Sequence, residues 1–122
     1  MQITGNILVV DDDEPTATFI AEALGDEGYT VHTAFCPAGA RAMIIAQRPD
    51  LILLDLHLPG KTGDILVQDL KDDGLKDVPV VIITADAKAV PALSMDGIAD
   101  CLIKPFELDD LLACVATHIR RC

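Results

Sequence analysis

NILVVDDDEP, residues 6–15, is an apolar run that stops on three acids and then meets a proline. The run predicts a strand, and Pro15, with its fixed φ, suits the first turn of a helix. The acids Asp11 and Asp12 therefore fall at the carboxyl end of a strand, just before a helix begins. The same unit recurs along the chain. Phe19, Ile20, Ala23 and Leu24 keep helical spacing until Gly25 and Gly28 end the pattern, and YTVHTA (29–34) returns as a strand. A second helix is predicted over about Ala38–Gln47, stopped by Pro49. DLILLD (50–55) is a buried-strand run ending on Asp55, LPGKTG (58–63) reads as a loop, and Asp64–Lys71 carries a helical pattern with Ile65, Leu66 and Leu70 inward. VPVVIIT (78–84) ends on Thr84, and ADCLI (99–103) runs into Lys104. Between them Lys88–Met95 makes a short helix with Pro91 near its start. The last helix has the clearest stripe: Leu108, Leu111, Leu112, Val115 and Ile119, with Glu107, Asp109 and Asp110 at its start and Arg120 and Arg121 at its close. Both charge signs complement the helix dipole.

Five strands alternating with five helices predict an α/β fold whose parallel sheet is covered on both faces. In an open parallel sheet the carboxyl ends of the strands share one edge, so Asp11, Asp12, Asp55, Thr84 and Lys104 converge on one crevice. Singly, each has a bland reading. An Asp run is a solvated loop or a helix cap, Asp55 a turn residue, Thr84 a cap and Lys104 a surface lysine. All of these accidents would have to fall at one sheet edge. Carboxylates about 4 Å apart repel by about 4 kcal/mol per pair at an intermediate effective dielectric, so the cluster calls for a cation. An all-oxygen site with few protein ligands suits Mg²⁺. A carboxylate is also a nucleophile toward phosphorus, giving an aspartyl-phosphate. Lys104 would offset charge on the transferred group, and the Thr84 hydroxyl could donate a hydrogen bond to it.

Composition sets the outer bounds. With 122 residues the expectation is one domain and one core, and 51% hydrophobic residues with 3% aromatic means a core of Val, Ile, Leu and Ala. No apolar run reaches the length of a membrane span, and residues 1–5 lack a secretory leader pattern, so the expected address is the cytoplasm. A net charge of −11 argues against direct nucleic-acid binding, because no basic stripe is available to displace counterions. Cys36, Cys101, Cys114 and Cys122 form no C-x-x-C pair, which predicts reduced thiols, most of them core fillers. His32 and His118 read as surface residues without a metal partner.

The pieces ILVVDDDEP (7–15), DLILLDLHLPGKTG (50–63), VPVVIITA (78–85) and CLIKPF (101–106) together resemble the receiver domains of two-component response regulators, over nearly the whole chain. The resemblance implies a doubly wound, flavodoxin-like (βα)5 fold with strand order 2-1-3-4-5, spanning residues 1–122 as a single receiver domain with its core over about 5–121. It implies that Asp55 accepts a phosphoryl group from a sensor histidine kinase or a histidine phosphotransfer protein. Asp12 would then ligate Mg²⁺ directly, Asp11 through water, and the backbone carbonyl of His57 would complete the protein ligands beside Asp55. The Lys104–Pro105 peptide is expected to be cis. Output would pass to a downstream effector protein or domain, with no direct contact to nucleic acid or membrane, and the chain would be a signalling phosphoacceptor rather than a conventional enzyme.

Two departures concern output. The position three before the lysine, aromatic in such receivers, is Cys101, which puts the coupling of Thr84 to a swinging ring in doubt. The interval from Thr84 to Lys104 is about two residues short and contains Pro91, so the helix there is expected to be short or irregular. His57 and Asp86, each two positions beyond a pocket residue, are expected to tune how fast water removes the phosphoryl group. Asp13 is expected to cap the first helix. Two other readings stay open. One is an aspartyl-phosphatase, weakened because His57 stands where its general acid would be. The other is a phosphorylation-independent protein-binding module of the same shape, which Cys101 favours and the intact acid set opposes.

Overall fold

The computed structural model describes residues 5–58, 61–74, 77–88 and 98–119. Its elements are β1 (Asn6–Val10), α1 (Glu14–Asp26), β2 (Thr30–Ala34), α2 (Pro37–Ala46), β3 (Leu51–Asp55), β4 (His57–Leu58), β5 (Lys61–Thr62), α3 (Gly63–Asp72), β6 (Val80–Thr84), β7 (Asp100–Ile103) and α4 (Leu108–His118). Five strands form one parallel sheet in the order β2-β1-β3-β6-β7. With the β4–β5 ribbon set aside, this is the expected 2-1-3-4-5 order, reversing direction of growth at β1 and β3. The predicted helix at Lys88–Met95 lies almost wholly outside the described residues, as do Arg120 and Arg121.

Strand periodicity divides the core in two. Leu8, Val10, Ile52, Leu54, Val80 and Ile82 face one way, onto Ala40 and Ile44 of α2 and Leu66, Val67 and Leu70 of α3. Their alternate neighbours Ile7, Val9, Leu51, Leu53, Val81 and Ile83 face the other way, onto Ala17, Ile20 and Leu24 of α1 and Leu111, Val115 and Ile119 at α4. A strand buried on both faces has no polar positions to spare, which is why these runs are unbroken in the sequence. Each fully buried Leu or Ile contributes roughly 1.5–3 kcal/mol relative to exposure.

The local signals explain where each helix starts and stops. Asp13 caps α1, its carboxylate accepting from the Thr16 amide at 3.2 Å, and Pro15 lies in the first turn. Gly28 follows the helix with φ +99°, a left-handed conformation that costs glycine little and lets the chain turn into β2. Cys36 caps α2 through its sulfur, 3.4 Å from the Gly39 amide, so this thiol is an exposed cap and not a core filler.

Several expectations need correction. Residues 58–63 are not all loop: His57–Leu58 pairs antiparallel with Lys61–Thr62 in a two-stranded ribbon. Phe19, Ile65 and Leu108 are exposed, and Val67 takes the inward place on α3 that the pattern gave to Ile65. Ile65 and Leu108 both sit in the first turn of their helices, and the buried positions of each helix come later in it.

Candidate functional site

β1, β3, β6 and β7 are parallel neighbours, and their ladders place Val10 beside Leu54, Asp55 beside Ile83, and Thr84 beside Ile103. The residues that end these strands therefore meet at one edge. Asp11, just past β1, and Thr84, the last residue of β6, are fully buried, and Asp55, the last residue of β3, is 7% exposed. Asp12 is exposed at the rim. Carboxylate oxygens of Asp11, Asp12 and Asp55 lie within 4.8 Å of one another. The Lys104 ammonium reaches in from the end of β7, 2.9 Å from Asp11 and 3.9 Å from Asp55. All five residues singled out by their strand-end positions are thus brought together.

Backbone groups hold the set in place. Asp11 accepts from the Asp13 amide at 2.9 Å, and its own amide donates to the Ala34 carbonyl at 3.1 Å. Asp55 accepts from the His57 amide at 3.3 Å, so the chain turns back over its own carboxylate. The Thr84 hydroxyl accepts from the Asp86 amide at 2.9 Å. That bond uses an oxygen lone pair and leaves the hydroxyl hydrogen available to donate. The Lys104 amide donates to the Thr84 carbonyl at 2.7 Å, and the Lys104–Pro105 peptide is cis, as expected. At the mouth the His57 imidazole stands 3.5 Å from the Asp86 carboxylate, both side chains exposed.

The pocket is short of positive charge. Burial and the neighbouring Asp11 carboxylate push Asp55 up to about 6, against the pull of Lys104 and the His57 amide. Among the described residues three carboxylates face one ammonium, a net negative set of oxygen donors that is the donor chemistry of a hard divalent cation.

A second cluster was missed in the sequence. His118 is half-buried, not a free surface residue, with Nε2 3.0 Å from Asp100 Oδ2, and Cys114 lies beside them within ligand distance. Cys114 and His118 are four residues apart on α4, a spacing that places both on one helix side and was legible. Asp100 joins them only because α4 folds back along β7. No helix among the described residues is long and apolar enough to cross a membrane.

Comparison with known proteins agrees with this architecture. The profile of the response regulator receiver domain family matches residues 7–116. The phosphate regulon transcriptional regulatory protein PhoB of Pseudomonas aeruginosa is 39% identical over an alignment of 119 residues that covers 94% of this chain. The chain spans about half of that relative's length, 52%. Among solved structures, the receiver domain of NtrX from Brucella abortus superposes with a TM-score of 0.84 at 32% identity, covering 92% of this chain and 96% of that one. The response regulator TrrA of Thermotoga maritima, solved in complex with Mg²⁺–BeF, gives a TM-score of 0.85 at 26% identity, covering 98% of this chain and all of the other, 100%. With the acid-lined strand edge and the sheet order already in view, the match over residues 7–116 establishes that the chain belongs to the receiver domains of two-component response regulators, a family whose function is to accept a phosphoryl group.

Proposed function

We propose that Asp55 is the phosphoacceptor, that Asp11, Asp12, Asp55 and the His57 carbonyl hold Mg²⁺, and that Thr84 and Lys104 serve the transferred group. One observation carries the reading: the Lys104 ammonium stands 3.9 Å from the Asp55 carboxylate while already paired with Asp11. That leaves Asp55, held by the His57 amide and only loosely paired with Lys104, as the carboxylate able to attack. In the step itself an Asp55 oxygen bonds to phosphorus as the P–N bond to a donor imidazole breaks, and the imidazole departs with the electron pair. Lys104 then faces a dianionic group beside it. The Thr84 hydroxyl, its lone pair held by the Asp86 amide, directs its hydrogen to a phosphoryl oxygen. Mg²⁺ held by Asp11, Asp12, Asp55 and the His57 carbonyl would supply further neutralisation of the negative charge in the pocket.

The donor is a sensor histidine kinase or a histidine phosphotransfer protein, met in the cytoplasm, and output goes to an effector protein or domain. The residues described here form one receiver domain that makes no direct contact with nucleic acid. The His57–Asp86 pair at the mouth sits where water must approach the acyl phosphate, and these two side chains set how long the phosphoryl group survives. Exchanging both without any change in phosphoryl lifetime removes that assignment.

The direct test is incubation with acetyl phosphate and Mg²⁺, reading intact mass for one added phosphoryl group, beside Asp55→Asn and a metal-free control. One adduct requiring both Asp55 and Mg²⁺ is the expected result. No adduct from folded protein, with a histidine-phosphorylated donor failing too, favours the phosphorylation-independent binding module. Cys101 is the observation on that side: it is half-buried among the core residues of the α2/α3 face, where a thiol fills less volume than a ring.

A further inference from the structure

The Asp100–Cys114–His118 cluster stands apart from the phosphoryl pocket and differs from it in chemistry. Asp100 opens β7, whose other end leads to Lys104, so the two clusters lie at opposite ends of one strand. Cys114 and His118 project from the same side of α4, one turn apart. Asp100 Oδ1 accepts from the Cys101 amide at 2.8 Å, which fixes the carboxylate and turns Oδ2 to His118 at 3.0 Å. One ligand atom from each of the three residues lies within 4.8 Å of the other two. They line an open cavity of about 500 Å³, together with Leu102, Phe106 and Thr117.

We propose that Asp100, Cys114 and His118 form a second metal site, taking a borderline-soft divalent cation of the Zn²⁺ class with its fourth position open to this cavity. Sulfur, imidazole nitrogen and carboxylate oxygen together are a Zn²⁺ donor set, and a thiolate ligand selects against Mg²⁺. Zn–ligand bonds of about 2.0–2.3 Å place tetrahedral ligand atoms about 3.5 Å apart, so the three side chains need only a small inward rotation. The Cys101 amide acts on the carboxylate as an outer hydrogen-bond donor orients a metal ligand. On binding, the Cys114 S–H bond is exchanged for an S–metal bond and the proton leaves to water. Burial and nearby Asp100 hold this thiol up at about 11, so without a cation it stays protonated. A bound ion would join the last turn of α4 to the first residue of β7.

Co²⁺ is the probe, added to the full chain after reduction and chelator treatment, with Mg²⁺ in excess to occupy the all-oxygen pocket. One equivalent should produce a thiolate-to-cobalt charge-transfer band with the visible bands of a tetrahedral ion, and Zn²⁺ should displace it. Cys114→Ser should abolish the charge-transfer band, His118→Gln and Asp100→Asn should each weaken binding at least tenfold, and Cys36→Ser, at an exposed thiol outside the cluster, should leave it unchanged. Circular dichroism establishes that each variant is folded. If Cys114→Ser does not fold, His118→Gln decides alone, and unchanged affinity there overturns the site. Absence of the band in the unmodified protein, or its survival in folded Cys114→Ser, also overturns it.

Discussion

The strands that end at the phosphoryl pocket differ in how they treat what they carry. β3 and β6 are buried at every position, so Asp55 and Thr84 arrive at the edge already stripped of most water. β7 is the outer strand, exposed or half-buried along its length, and the Lys104 that follows it keeps access to solvent. Interior strands deliver groups whose protonation and hydrogen bonding the fold dictates, whereas the edge strand delivers a charge on a long, flexible stem. The pocket combines both: a carboxylate held in place by its surroundings, and an ammonium group on a stem that can shift.

The largest effect that sharpens this contrast is at the interior end. Asp55→Asn should eliminate the phosphoryl adduct in intact-mass measurement, and any single adduct of equal yield elsewhere would break the assignment. At the edge end, Lys104→Ala should slow phosphorylation by about 10²–10³-fold yet leave its Mg²⁺ dependence intact, as for loss of one electrostatic donor. A stopped assay with acetyl phosphate reads both. If Lys104→Ala is as silent as Asp55→Asn, the division of labour between strands is wrong.

Packing gives the next smaller effect. Leu54→Ala, in the middle of the sheet, should lower unfolding free energy by about 3–4 kcal/mol, and Leu102→Ala, half-buried on β7, by about 1–2 kcal/mol. Urea denaturation of the pair measures the difference, and equal losses would erase the distinction between interior and edge.

The smallest effect is electrostatic. Asp55 titrates at about 6 in the folded chain against 3.8 for an ordinary aspartate, so between these values the folded state binds more protons than the unfolded one. Metal-free stability should therefore rise as pH falls from about 7 to about 5, by about 1–2 kcal/mol given the open side of the pocket. Asp55→Asn should be more stable than the parent near neutral pH and lack this slope. Mg²⁺ should reverse the sign by favouring the carboxylate. Thermal unfolding across pH, with and without Mg²⁺, checks all three statements, and a parent that only loses stability over that interval would contradict the charge-starved pocket.

How much of this was legible follows from the same contrast. Interior parallel strands must be continuous apolar runs, so NILVV, LILL and VVII announced themselves and carried Asp11, Asp55 and Thr84 with them. The ribbon of β4 and β5 was not legible, because two-residue strands leave no periodicity to read. Ile65 and Leu108 matched the helical stripe but not its burial, since periodicity reports angle around the helix and says nothing of whether a neighbour lies beneath. Asp100 and His118 are 18 residues apart, and their meeting depends on how far back along β7 the chain returns.

The hydrogen bond from the Lys104 amide to the Thr84 carbonyl gives the pocket a mechanical property. It is a main-chain tether between the last residue of β6 and the residue that follows β7, made by backbone atoms alone. The same strand leads back from this tether to Asp100, which contacts His118 of α4. In a chain with a thiol at position 101, the backbone itself still links these strand ends, like a cord.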